Sequence, residues 1–396
     1  MDIGALVRGM SSAFQHPLRI SEPCYGMGGV REMMSLGAVP HQAVNVFEID
    51  GAMKHYHSLL HEALGDDCMN PEAASWGADS GNLLDVPLDA LEPCDGLVSG
   101  PPCTPWAHNG KRLGKADPRS QVFERVVEWI MHLALTGGLW FFLLENSTNI
   151  AAKVHDEKIP YIEEVKARLE ARMPDWVIDL SFSSLESFIP HKRSRCWLRG
   201  LRRDMLPGSV QSIPAPLACI GVGPVPLEHL LEAGLEVFPP EAMTTTKKME
   251  NTTLYLSEIE AMVRANPNHQ HRIAVFDPCR AQGKKWKVRV HYDVVPALRT
   301  SGPWYFVVSL WDWDSAVQDK AIFRFLTLGE RFLLSGHRSE YSKFSSKRLA
   351  ARMTGNAYAV PMLTAAMAPV LTTAGQSLHQ GSDAEGHSIK RLRMLL

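Results

Sequence analysis

Residues 19 to 50 read RISEPCYGMGGVREMMSLGAVPHQAVNVFEID, and the pattern of this stretch decides the fold class. Arg19 to Pro23 is a candidate strand, Val30 to Leu36 a helix, and Ala43 to Ile49 a second strand. Between the first strand and the helix stands Gly26-Met27-Gly28-Gly29. Glycines there permit a tight turn and a close backbone approach to a ligand, with a helix N-terminus nearby. Glu48 ends the second strand, where a carboxylate can accept hydrogen bonds from both hydroxyls of a ribose, the alternative being an acid that merely faces solvent. Together these features predict a nucleoside-bearing cofactor.

The same rhythm continues outward. A helix from about Ala52 to Leu64 is followed by strands at Cys94 to Ser99, Leu139 to Leu144, Trp176 to Phe182 and Cys196 to Leu201. Val122, Phe123, Val126, Val127, Ile130, Leu133 and Ala134 recur at helical spacing. Strands separated by helices imply βαβ units and a mainly parallel sheet covered on both faces, an α/β fold. Residues 1–202 form the first domain on this reading. From Arg203 onward Pro207, Pro214, Pro216, Pro224, Pro226, Pro239 and Pro240 interrupt any long helix, so 203–320 is read as a second, smaller domain. Residues 321–375 are helical again and are expected to rejoin the first domain, and 376–396 to form a flexible tail.

The bulk properties suit a soluble globular chain: 45% hydrophobic and 21% charged residues over 396 positions. No apolar stretch is expected to span a bilayer, the greasiest, Leu139 to Leu144, being strand-length, and the N-terminus lacks a secretory leader. The 7 cysteines contain no CxxC pair, which points to a reduced, intracellular protein without a structural zinc site. The net charge of −2 carries no global sign of a polyanionic partner, but Thr244 to Thr300 holds ten Lys or Arg against five Asp or Glu. A basic insert in a weakly acidic body is compatible with nucleic acid on one face, and equally with solvated surface.

The sharpest chemical signal is Ser99-Gly100-Pro101-Pro102-Cys103, directly after a strand. Two prolines stiffen the backbone, so the thiol is held at the carboxyl end of the sheet, where open α/β sheets bind ligands. Lys111, Arg112, Lys115 and Arg119 follow, and nearby cations favour a thiolate. Glu145-Asn146 closes the apolar strand Leu139 to Leu144; an acid there points into a cleft or pairs with a cation. Arg193 and Arg195 open the strand Cys196 to Leu201, two apart and hence on one side of an extended chain, where they suit an anionic or carbonyl-rich ligand. His57 and His61 have the i, i+4 spacing of a metal pair but no third ligand, and are read as surface histidines.

In this order the segments resemble the DNA (cytosine-5)-methyltransferase family. Glu22 to Arg31 is similar to its cofactor loop, Phe47-Glu48-Ile49-Asp50 to its ribose-binding acid, and Gly100 to Cys103 to its proline-cysteine nucleophile motif. Glu145-Asn146-Ser147 resembles the Glu-Asn-Val motif, and His191 to Arg195 the Gln-x-Arg-x-Arg motif with His for Gln. Arg324 to Glu330, with Ser335-Gly336-His337, resembles the helix near the recognition domain, and Gly355-Asn356-Ala357 the last motif, which returns to the cofactor. The resemblance covers about 20–202 and 321–370. Departures from the pattern include Cys24 for a Phe, Ile49 for an aromatic, Thr104 for Gln, Ala107 for Ser and Ser147 for Val.

The resemblance implies a Rossmann-like S-adenosylmethionine-dependent methyltransferase fold with a smaller target-recognition domain at 203–320. It implies S-adenosyl-L-methionine as cofactor, held by Gly26, Met27, Gly28, Gly29, Glu48, Ile49, Asn82, Pro101, Asn356 and Ala357. Asp79 is the chemical alternative to Asn82 for the contact to the adenine amine. Cys103 is then the nucleophile toward carbon 6 of a flipped-out cytosine, Glu145 holds a proton at ring nitrogen 3, and Arg195 binds the base carbonyl with Arg193 in support. Trp106 to Pro118 is the candidate closing loop; Lys284 to Arg289 is the candidate phosphate-binding strand, and Trp304, Tyr305, Trp311 and Trp313 are small-domain core or base-stacking residues. The expected partner is cytosine-containing double-stranded DNA, with no membrane and no metal, for a monomer that is intracellular and DNA-associated (cytoplasmic in a prokaryote, nuclear in a eukaryote). The same chemistry on tRNA is the nearest alternative, although the Cys-Phe-Thr signature of that branch is absent; a silent nucleic-acid-binding regulator on the same fold is the other.

Overall fold

A computed structural model of the chain describes residues 14, 16–64, 81–107, 112–136, 138–154, 158–208, 210–218, 224–232, 246–279, 289–300, 305–310 and 323–383. The chain divides into two compact units, Met1–Ser184 with Ser194–Val222 and Tyr358–Leu396, and Leu185–Arg193 with Gly223–Ala357.

The first unit is built on a six-stranded sheet: β1 (Leu18–Pro23), β2 (His41–Phe47), β3 (Gly96–Ser99), β4 (Phe141–Ser147), β5 (Trp176–Ser184) and β6 (Ser194–Arg202), in the order β2-β1-β3-β4-β6-β5. The first four strands in that order are parallel, whereas β6 runs antiparallel to both β4 and β5. The helices α1 (Gly29–Leu36), α2 (Gly51–Leu64), α3 (Ser120–Thr136) and α4 (Tyr161–Arg172) supply the crossovers. Phe141 to Leu144 are all buried, as expected of a strand covered on both faces, and each such side chain contributes ~1.5–3 kcal/mol by leaving water. On α3 the helical-period residues Phe123, Val126, Val127, Ile130 and Leu133 share one core with Trp106, Trp129, Phe142 and Leu144.

The C-terminal segment returns to this unit as α8 (Val360–Asp383), after α5, α6 and α7 of the other unit, described below. Two expectations change here. This region is long and apolar enough to cross a membrane, but 94% of its most apolar window is buried inside the protein, as for a core helix. The expected flexible tail from 376 is helical as far as Asp383, and Ser377 Oγ donates to the Asp204 carbonyl at 3.2 Å.

The second unit holds a four-stranded antiparallel sheet, β7 (Ile273–Phe276), β8 (His291–Tyr292), β9 (Phe306–Ser309) and β10 (Phe323–Phe325), in the order β10-β9-β7-β8. Tyr255 and Ile259 of α5 (Thr246–Ala265) share a core with Ala274, Phe276, Phe306 and Val308. The short helices α6 (Leu328–Leu333) and α7 (Lys347–Asn356) also belong here, so residues 323–357 lie with this unit and not with the first. Sheet pairing of β10 with β9 and hydrogen bonds to Glu232 join this segment to the unit. Buried Glu330 is bound by both terminal nitrogens of Arg324, at 2.6 and 2.9 Å, accepts the Glu232 N–H at 2.7 Å, and forms a capping box with Thr327. Tyr305 is buried, its hydroxyl donating to the Ala297 carbonyl at 3.0 Å. Trp304, Trp311, Trp313 and Lys284 to Val288 lie outside the described residues.

Candidate active site

The carboxyl ends of β1, β2, β3 and β4 carry the Gly-rich turn, Glu48, the Cys103 loop and Glu145. Gly26 and Gly28 have φ of 56° and 70°, values that cost a side chain and not a glycine. The Gly26 N–H donates to Glu48 Oε2 at 2.9 Å, and the Asp50 N–H to Glu48 Oε1 at 2.8 Å. One carboxylate thus ties the turn to the end of β2, and a carboxylate oxygen can accept more than one hydrogen bond. Beside it Ile49 is 70% exposed, an apolar side chain that a purine ring would cover. Met27 is buried.

His57 departs from its reading as a surface residue. It is buried under the turn, its Nε2–H donating to the Gly26 carbonyl at 2.6 Å, with its ring 4.7 Å from that of Tyr25. The side chain of His61 lies outside the described residues. Asn82 caps a short 3-10 turn: its Oδ1 accepts the Leu84 N–H at 3.2 Å and its Nδ2 donates to Asp85 at 3.0 Å. Asp79 lies outside the described residues.

Cys103 is half-buried at the head of a turn in which its carbonyl accepts the N–H groups of Trp106 and Ala107, each at 3.1 Å. Its lead-in is tied to the neighbouring strand by Asn146, whose Nδ2 donates to the Pro101 carbonyl at 3.1 Å. Trp106, expected in a closing loop, is instead fully buried and stacked on Tyr161, with ring centroids 5.0 Å apart. Residues 108–111 lie outside the described residues. Of the cations after the cysteine, Lys115 pairs with Glu164, while Arg119, held by Asp117 at 2.6 Å, lies within electrostatic reach of Cys103. By contrast, burial pushes the thiols of Cys24, Cys94 and Cys196 up to about 12, which leaves them as inert thiols at neutral pH.

Glu145 lies near the end of β4 and Arg195 near the start of β6, and their side chains form an ion pair through Arg195 Nε. The antiparallel register explains the meeting: Glu145 faces Trp197 and Ser147 faces Arg195, so acid and cation are diagonal neighbours on one face. Arg195 also donates to the Ser194 carbonyl at 2.8 Å. Arg193 precedes β6 and is buried; its guanidinium donates to the carbonyls of Gly355 at 3.1 Å, of Thr354 at 3.4 Å and of Ala357. Asn356 ends α7, and Ala357 is its C-cap. His191, also buried, accepts the Leu298 N–H on Nε2 at 3.1 Å, so its Nδ1 carries the proton given to the Leu334 carbonyl at 2.7 Å.

The sequence reading missed Tyr358. Its buried ring follows Ala357 and lies against both Gly29 and Gly100. A bulky aromatic directly after Gly355-Asn356-Ala357 was the available signal.

This arrangement defines a class: an open α/β sheet whose strand ends carry a Gly-rich turn, an acid, a half-buried cysteine and a carboxylate–guanidinium pair. The profile of C-5 cytosine-specific DNA methylases matches residues 79–370, and the chain belongs to that family. It is 25% identical over 124 residues to the Type II methyltransferase M.FnuDI of Fusobacterium nucleatum, covering 31% of this chain and 34% of that protein. It is 23% identical over 161 residues to the Type II methyltransferase M.DdeI of Desulfomicrobium norvegicum, covering 38% and 37%. The chain thus spans about a third of the length of these curated relatives. The crystal structure of the S. pombe Dnmt2 methyltransferase superimposes with a TM-score of 0.54 at 18% identity, over 90% of this chain and 98% of that one. The fold is the Rossmann-like S-adenosylmethionine-dependent methyltransferase fold.

Proposed function

We propose that this chain methylates carbon 5 of cytosine in double-stranded DNA, with Cys103 as covalent nucleophile. The observation that carries the reading is the pairing of Arg195 with Glu145, which lies on the strand whose Asn146 tethers the Cys103 loop.

The residues suit S-adenosyl-L-methionine: a left-handed Gly-rich turn for close backbone approach, the doubly anchored Glu48 for ribose hydroxyls, and Ile49 for the purine. Bound there, the cofactor supplies an electrophilic methyl group. Asn82, Pro101, Asn356 and Ala357 complete the proposed cofactor set.

Carbon 5 of cytosine is a poor nucleophile. Addition of the Cys103 thiolate to carbon 6 makes an enamine of the ring, so that carbon 5 can accept the methyl. Arg119 is the cation available to favour that thiolate. Glu145 holds a proton at ring nitrogen 3 and Arg195 aligns Glu145 while binding the base carbonyl, both acting where charge develops. Arg193 acts at a remove, by holding the segment that ends in Ala357. Loss of the carbon 5 proton to solvent then breaks the Cys103–carbon 6 bond and restores the aromatic ring. A stacked base cannot present carbon 6 to a thiol, so the cytosine is extruded, at a cost of a few kcal/mol.

The second unit is the proposed target-recognition module, with its basic segment through Arg289 meeting phosphates. The working form is a monomer, intracellular and associated with DNA. Transfer of a labelled methyl group to duplex DNA, with tRNA in parallel, tests the reading. Duplex DNA should be labelled by the wild type and not by Cys103→Ser. Undiminished labelling by that variant would refute the covalent route, and labelling of tRNA alone would move the substrate to RNA. Bisulfite-type sequencing of DNA from expressing cells reads the target context.

A further inference from the structure

Tyr358 stands between two of the loops that the reading above assigns to chemistry. It lies two residues before α8, in the same compact unit as the Gly-rich turn and the Cys103 loop. A Cβ placed on Gly29 would stand 3.0 Å from Tyr358 Cδ2 and 3.1 Å from its Cβ. A Cβ on Gly100 would stand 3.0 Å from Tyr358 Cε1 and 3.1 Å from its hydroxyl oxygen. One edge of the ring therefore rests on the cofactor turn. The other rests on the residue that leads into Pro101-Pro102-Cys103. A side chain at either glycine would press on the ring, which would have to give by a few tenths of an ångström.

We propose that Tyr358 is a positioning residue for methyl transfer, its ring setting the spacing between the donor turn and the nucleophile loop. This inference rests on the methyltransferase reading. Burial is the main cause that raises the phenol well above its ordinary range, so the ring stays neutral in its place. A rigid spacer suits the reaction, because displacement of reacting atoms by an ångström costs about 100-fold in rate.

The test separates ring from hydroxyl in the full-length chain. Tyr358→Phe keeps the spacer, so affinity for S-adenosyl-L-homocysteine by calorimetry should stay within about twofold of the wild type. Tyr358→Ala removes the spacer, so it should lose cofactor-product affinity and lower kcat by about 100-fold, with Phe restoring the affinity. Gly100→Ala should lower the unfolding midpoint in the wild type and do so less in the Tyr358→Ala background. Equal affinity losses for Phe and Ala, unchanged kcat in Tyr358→Ala, or purely additive unfolding shifts would each overturn the proposal. If the wild type transfers no methyl group at all, the methyltransferase reading fails instead, and the affinity and unfolding comparisons still decide whether Tyr358 is the spacer.

Discussion

Arg193 and Arg195 are two residues apart and identical in chemistry, yet their partners differ, and on the proposed mechanism replacing each with alanine should separate stability from turnover. Arg193 is 4% exposed and donates to the carbonyls of Thr354, Gly355 and Ala357. A buried polar group left without its partner costs ~1–3 kcal/mol, so Arg193→Ala should destabilise the protein by about 3–5 kcal/mol, allowing for partial relaxation. The Arg195 side chain retains 15% exposure and Glu145 9%, and water can reach both. Arg195→Ala should therefore cost about 1–3 kcal/mol of stability, less than Arg193→Ala. Its effect falls on the rate: losing one preorganised group where charge develops lowers kcat by about 100-fold or more. Urea unfolding gives the first quantity; labelled-methyl transfer to saturating duplex DNA, normalised to folded protein, gives the second. A stable Arg193→Ala protein, or an Arg195→Ala enzyme within threefold of wild-type kcat, would refute this division of labour.

Glu48→Gln keeps one carbonyl-type acceptor but loses the charge that gathers the Gly26 and Asp50 N–H groups. Affinity for S-adenosyl-L-homocysteine, read by calorimetry, should fall about tenfold, and an unchanged value would remove Glu48 from the cofactor site. His191→Ala strands the Leu298 N–H and the Leu334 carbonyl and should cost about 2–4 kcal/mol. His191→Gln should cost less in the same urea titration, since an amide can also donate and accept. Burial pushes the Glu22 carboxyl up to about 8 against the opposing charge of Arg31. The folded state then keeps a proton that the unfolded chain releases near its ordinary value, so this residue's stabilising contribution is complete in acid and is lost as pH climbs toward 8. The unfolding midpoint of the wild type should drop relative to that of Glu22→Gln over that window, and a pH-independent gap would disprove it.

Periodicity and punctuation settled whatever depends on neighbours in the chain. The strands at 18–23, 41–47, 96–99 and 141–147 sit within a few residues of their expected places, because apolar runs bounded by glycine, proline and acids act locally. The left-handed turn at Gly26 and Gly28 and the stiff approach to Cys103 were likewise legible, since glycine and proline restrict their own backbones. What tertiary structure alone decided involves partners far apart in sequence. The reversed direction of β6 brings Arg195 onto Glu145. A carbonyl cluster 161 or more residues away claims Arg193, and the Gly26 carbonyl draws His57 out of solvent. Hydrogen bonds of Arg324 and Glu330 with Glu232 join 323–357 to the rest of the second unit, and Tyr358 fills the space above two glycines. Strand direction and the partners of buried polar groups follow from how the whole chain satisfies its hydrogen bonds once water is excluded, which no local pattern encodes.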